Sequence, residues 1–242
     1  MPIPLRPSAW LAQCPLQSGE TLYAVLGNAS EARPLAVWQA RAAGPAPQPV
    51  WAGTAYAQWG EVMPYVAIAE PGSAFLDWIA TCESTDWGWL AVSSSPLDTV
   101  IAHLQGLTKV LLPDGQAVFL RYWDGARFLP LLQHLGDTAA DVLPVFQRYL
   151  INGCPLTVTT GAVTVAKTSP WWQVPPALLE HLAVQSPQTL IDNLLQWLEE
   201  QRPDLSSAFT PATVQHKLSY FVRRPQLNLE ALTAYLSKEL TP

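Results

Sequence analysis

Residues 87–136 read WGWLAVSSSPLDTVIAHLQGLTKVLLPDGQAVFLRYWDGARFLPLLQHLG, and the order of signals along them decides the fold. Gly88 to Ser93 is a short apolar run that predicts a strand. Ser95 is placed to cap a following helix, Pro96 suits its first turn, and Asp98 lies where a carboxylate meets free N–H groups. Leu97, Val100, Ile101 and Leu104 recur at helical spacing and form one buried face. Gly106 ends that helix. Leu107 to Leu112 and Ala117 to Trp123 flank Pro113-Asp114-Gly115-Gln116, which predicts a β-hairpin turned at Gly115. A second helix follows Gly125.

Upstream, Ser8 to Cys14 predicts a short helix in a proline-punctuated start. Thr21 to Leu26 (TLYAVL) predicts an interior strand. Pro34 suits the start of a helix carrying Leu35, Val37 and Trp38. Gly44 to Thr54 is a loop by composition. Tyr65 to Ala69 predicts a second strand, and Ser73 caps a helix holding Phe75, Leu76, Trp78 and Ile79. Strands separated by helices imply parallel crossovers, so the expected sheet is parallel at first and antiparallel at the hairpin.

Downstream, Asp137 to Leu143 predicts a short helix and Phe146 to Ile151 leans to strand. Leu156–Thr160 and Ala162–Ala166 alternate around Gly161 and predict a further hairpin. From Pro176 onward the chain is helical, with starts at Ser186-Pro187 and Thr210-Pro211 and a last helix over Leu227 to Leu240. The expected fold class is therefore α/β (α+β): a mixed β-sheet flanked by helices over residues 1–168, then a small all-helical lobe over 169–242.

Composition excludes several functional classes. The 242 residues are 49% hydrophobic and 13% charged, with 11 tryptophans and 23 prolines. That charged share is about half the usual one, which leaves apolar surface to cover. Tryptophan belongs in cores and at interfaces. Net charge is −6, with no basic stripe, so nucleic acid is not the expected partner. No apolar run reaches membrane-spanning length, so membrane insertion is not expected either. Cys14, Cys82 and Cys154 lie far apart without CxxC spacing, which suits a reducing compartment. The opening residues lack the apolar segment of a signal peptide, and a cytoplasmic location is expected.

Catalytic signatures are weak. His103, His134, His181 and His216 fall in separate predicted helices without metal-ligand spacing. Ser93-Ser94-Ser95 lacks the GxSxG elbow, and there is no GxGxxG or P-loop lysine. The expectation is no catalytic residue, no metal and no cofactor. The one cluster of charges is Arg121, Asp124 and Arg127, around Tyr122 and Trp123. It reads as an ion pair tying the strand end to the next helix or as a contact for a partner, and both can hold at once: the pair would shape a loop whose Tyr122 and Trp123 meet the partner. Trp171-Trp172, flanked by prolines, is a second candidate for exposure. An enzyme using the Arg121/Asp124 mouth for an anionic small molecule, or a general scaffold, stands as the alternative.

The run from Trp87 to Leu129 resembles the core of the type VI secretion effector-loading adaptors, the Tap or Tec chaperones (domain-of-unknown-function family 4123). That family shows a tryptophan-containing strand, a serine-led helix, a hairpin with a PDG-like turn and an Arg-aromatic-aromatic-Asp-Pro ending. Arg121, Tyr122, Trp123 and Asp124 match the ending. Gly125 departs from its proline, which is expected to loosen the start of the next helix. The resemblance extends through TLYAVLGNASEARPLAVW and MPYVAIAEPGSAFLDWI to roughly the first three-fifths of the chain. It implies a non-catalytic cytoplasmic adaptor whose partners are an effector toxin, gripped through its N-terminal segment, and the VgrG spike protein. Trp87, Trp89, Arg121, Tyr122, Trp123, Asp124, Arg127, Trp171 and Trp172 are then the candidate partner contacts.

Overall fold

A computed structural model describes residues 4–41, 44–159, 165–185, 187–222 and 228–238. The chain divides into two compact units, Met1–Pro175 and Pro176–Pro242. The first contains α1 (Pro7–Gln13), β1 (Thr21–Gly27), α2 (Pro34–Arg41), β2 (Gln48–Pro49), β3 (Pro64–Ile68), α3 (Ala74–Ile79), β4 (Gly88–Ser93) and α4 (Leu97–Gly106). It continues with β5 (Lys109–Leu111), β6 (Ala117–Phe119), α5 (Gly125–Leu135), α6 (Ala139–Val142), β7 (Arg148–Ile151) and β8 (Cys154–Thr157).

Six of these strands form one sheet in the order β2-β3-β1-β4-β7-β8, and β5 pairs β6 in a separate ribbon. The strongly apolar strands β1 and β4 lie at the centre, as burial on both faces requires. Successive side chains point to opposite faces. Leu22, Ala24, Leu26, Leu90 and Val92 pack with Trp10, Trp38 and Phe75 from α1, α2 and α3. From the opposite face, Tyr23 meets Phe146 edge-on at 6.3 Å and Trp89 stacks on Phe128 of α5 at 5.1 Å.

The parallel start expected of the sheet is corrected by the register. β1 runs antiparallel to both β3 and β4, and β7 antiparallel to β4. A helix between two strands forces a parallel pair only when the chain returns to the same end of the sheet. Here α2 is followed by the edge strand β2 and the turns of residues 50–63, which reverse the direction before β3 begins.

Three local expectations also shift. The cap of α4 is Pro96, not Ser95; the Ser95 carbonyl instead accepts from the Tyr23 hydroxyl at 2.9 Å. The β7–β8 hairpin turns at Asn152-Gly153, both at positive φ, where no turn was expected. An Asn-Gly pair is made for such a turn; residues 160–164 of the expected hairpin lie outside the described residues. The first unit also extends past 168. Leu111 donates to the Trp172 carbonyl and Val174 to that of Leu111, each at 2.8 Å, which binds residues 172–174 alongside β5.

Both edges of the six-stranded sheet carry a proline, Pro49 in β2 and Pro155 in β8. Proline offers no N–H, so neither edge is a ready template for another strand.

The second unit holds α7 (Pro176–Gln185), α8 (Pro187–Gln201), α9 (Pro203–Ser206), α10 (Pro211–Phe221) and α11 (Leu229–Lys238). Ile191, Leu198, Leu205, Val214, Leu218, Phe221, Leu232 and Leu236 form its core. Thr210 caps α10, its Oγ1 accepting from the Thr213 amide at 3.3 Å.

Arg148 ties the N-terminal segment to β7. Its Nη1 donates to the Cys14 carbonyl at 2.5 Å and its Nη2 to Glu20 Oε2 at 2.7 Å. Both side chains are largely buried. Removing one partner leaves the other charge buried and uncompensated. Arg148→Ala is expected to lower the unfolding free energy by roughly 3 kcal/mol, measured by urea denaturation; an unchanged midpoint would contradict the clamp.

Candidate functional site

The charged cluster forms a corner between β6 and α5. Asp124 is the N-cap of α5: its Oδ1 accepts from the amides of Ala126 at 3.0 Å and Arg127 at 3.3 Å. Its Oδ2 faces Arg121 Nη2 at 3.0 Å and Arg127 Nε at 3.3 Å. The expected ion pair is thus formed. The cap itself went unread in the sequence, although Asp followed by Gly before an apolar run is a helix-start signal.

Gly125 is not a loose start. A Cβ placed there would lie 2.5 Å from the Gly88 carbonyl oxygen and 2.9 Å from that of Thr85. Gly88 itself sits at φ +138°, and a Cβ on it would lie 2.0 Å from the Val25 oxygen. Backbone thus meets backbone twice at this junction. Position 125, where the resemblance implies proline, has no room in this chain for any side chain, proline's included.

Burial pushes the Asp124 carboxyl up, against the pull of the Arg121 and Arg127 charges and the Arg127 amide. Nearby Asp86 goes the other way. Burial raises it too, but hydrogen bonds from Ser30 and Ser84, its own amide and the Arg121 charge bring it below the ordinary carboxylate range. Ser30 donates to Asp86 Oδ1 at 2.6 Å, and Ser84 donates to the same oxygen.

The aromatic candidates are mostly interior. Trp87 packs on Phe75 at 6.1 Å and Trp78 at 5.8 Å. The Trp89 indole donates to the Tyr122 carbonyl at 2.6 Å. Tyr122 is fully buried, which pushes its phenol far up. Trp123 is buried edge-on against Trp51 at 5.2 Å. These four were expected at a partner surface and are core instead, because large rings next to a central strand are the cheapest way to fill it. Arg121 remains half-exposed. Trp171 and Trp172 are both half-buried, and the Lys167 ammonium lies 4.2 Å from the Trp171 ring.

A second constellation was not read from the sequence. It lies in residues 51–62, WAGTAYAQWGEV, of which only 51–54 fall in the loop expected from composition. Trp51 is buried, and around it gather Tyr56 at 5.9 Å, Phe119 at 6.1 Å and Trp59 at 6.4 Å. Trp59 also lies 5.4 Å from Phe119 and 5.3 Å from Tyr56. It is 43% exposed, and Val62, in the same turn, 39%. The Lys109 ammonium sits 4.9 Å from the Phe119 ring and 5.5 Å from that of Tyr56. The tract is pinned from outside: Gln105 donates to the Val50 carbonyl at 2.7 Å and Asn28 to that of Gly60 at 2.8 Å. Three large aromatics among small residues in one short loop were the available signal.

Among the described residues no group of three or more His, Cys, Asp or Glu side chains is placed to hold a metal ion. No helix among them is long and apolar enough to cross a membrane.

Two outcomes follow from the corner. Gly125→Ala drives a methyl into two carbonyl oxygens and is expected to cost about 3 kcal/mol, read from urea denaturation; a loss under about 1 kcal/mol would contradict the close approach. Asp86 titrates lower folded than unfolded, so its ionised form adds stability above about pH 4, and that contribution is lost as pH falls through the folded value. Asp86→Asn is therefore expected to flatten the acid side of the stability profile; a parallel, merely displaced profile would contradict this.

No curated protein and no solved structure matches the chain. Residues 22–141, from β1 into α6, match the family model described as Domain of unknown function (DUF4123), a family associated with type VI secretion effector adaptors.

Proposed function

We propose that this chain is a non-catalytic cytoplasmic adaptor that binds a type VI secretion effector and helps load it onto the VgrG spike. The observation that carries this reading is the DUF4123 match over residues 22–141, which spans the central strands, the β5–β6 ribbon and the Asp124 corner. The architecture agrees with it. A sheet with helices on both faces and a proline in each edge strand holds a pinned aromatic surface in place. Such a platform binds other polypeptides through side chains and needs no reactive group.

The competing enzyme reading rests on Arg121 and Asp124. Both Asp124 oxygens are committed to amides and guanidinium groups, and the carboxylate is nearly inaccessible. A general base must reach its substrate's proton within hydrogen-bond distance, and this one faces inward. The geometry favours the adaptor.

The test is co-expression with the products of the neighbouring genes in the native host. The chain is expected to co-purify with an effector toxin through that protein's N-terminal segment, and with VgrG once the effector is present. Absence of any complex with either, at micromolar concentrations of folded protein, would overturn the reading.

A further inference from the structure

The loop of residues 51–62 and the β5–β6 ribbon present an unusual surface for a chain with so little charge. Trp59 and Val62 share one turn, the Val62 amide donating to the Trp59 carbonyl at 3.2 Å. Beneath them the half-buried rings of Tyr56 and Phe119 rest on buried Trp51, so the aromatic floor is backed by the core. Exposed large apolar side chains standing together, and not singly, mark an interaction surface. At the rim, Lys109 lies over two rings with no carboxylate at ion-pair distance among the described residues. A cation on an aromatic face has given up part of its hydration, and an approaching carboxylate restores that interaction.

We propose that Trp59, Val62, Tyr56, Phe119 and Lys109 form the docking surface for a partner segment that presents an apolar side chain beside a carboxylate. The segment is held by side chains and not by strand addition. The neighbouring edge strand β2 supports the second half of this: Pro49 has no N–H to give to an added strand. The net charge of −6 opposes an acidic partner at long range. That repulsion is screened beyond about 8 Å at physiological salt, whereas contact at Lys109 is not, so local pairing sets the preference. The inference deepens the adaptor reading and rests on it only for the identity of the natural partner.

The test uses the full chain and two synthetic amphipathic peptides of equal length and identical leucine and phenylalanine positions. One carries glutamate and the other lysine at every polar position. Titration followed by Trp fluorescence and calorimetry is expected to show the glutamate peptide binding at least tenfold more tightly. Lys109→Glu should reverse that order, and Trp59→Ala should weaken both peptides at least tenfold while leaving the far-ultraviolet circular dichroism unchanged. Equal binding of the two peptides, or binding indifferent to Trp59→Ala, overturns the proposal. So does a dimer that Trp59→Ala dissolves, since a second copy would then be the occupant. In the effector pull-down, a complex that survives both substitutions refutes this surface and leaves the adaptor reading standing; no complex, together with charge-selective peptide binding, refutes the adaptor reading alone.

Discussion

Everything in the first unit depends on two places where backbone lies directly on backbone. Gly88 opens β4 against the Val25 carbonyl of β1, and Gly125 opens α5 against the Gly88 carbonyl. Neither position admits a side chain. The chain is therefore drawn in at the end of β6, and the corner of residues 121–125 is pressed onto the sheet. Once there, Asp124 caps α5 and gathers Arg121 and Arg127, and the charges hold the corner together. Trp123 is carried inward against Trp51, and Trp51 becomes the post on which the loop of residues 51–62 is mounted. Close packing of the main chain thus reaches the surface through indoles packed edge to face.

That route accounts for the odd composition. A chain 49% hydrophobic with 11 tryptophans has more large rings than one sheet can use as simple filler. Several tile the two faces of the sheet, Trp10, Trp38 and Trp87 on one and Trp89 on the other. Trp51, Trp59 and Trp123 form a line from interior to solvent instead. The sparse charges are spent on joints: Arg148 with Glu20 at the N-terminal segment, Asp124 with its arginines at the corner, Asp86 with Ser30 and Ser84 beside it. An aromatic surface backed this way keeps its shape when empty, and preorganisation lowers the cost of binding.

Much of this was legible in residue order. The apolar strands, the helical periodicity of residues 97–104, the PDG turn and the helical tail follow from local signals, because each is decided within a few residues of itself. Strand direction was not legible, since it depends on how β2 and the turns of residues 50–63 carry the chain before β3. Nor was the role of Gly125, whose constraint comes from carbonyls at residues 85 and 88 and is invisible along the chain. The candidate site was half legible. Arg121, Asp124 and Arg127 do meet, but Trp87, Trp89, Tyr122 and Trp123 were placed at a surface when packing puts them inside. The surface ring, Trp59, sits in a tract whose small residues masked it as plain loop.

Hydrogen–deuterium exchange of the chain alone and saturated with the effector proposed as its partner tests the central claim most directly. The account predicts new protection concentrated in residues 51–62 and 109–119, with β8 and the strands of the sheet unchanged. Protection gained along β8 or β2 as continuous backbone pairing, with residues 51–62 exchanging as before, would contradict it.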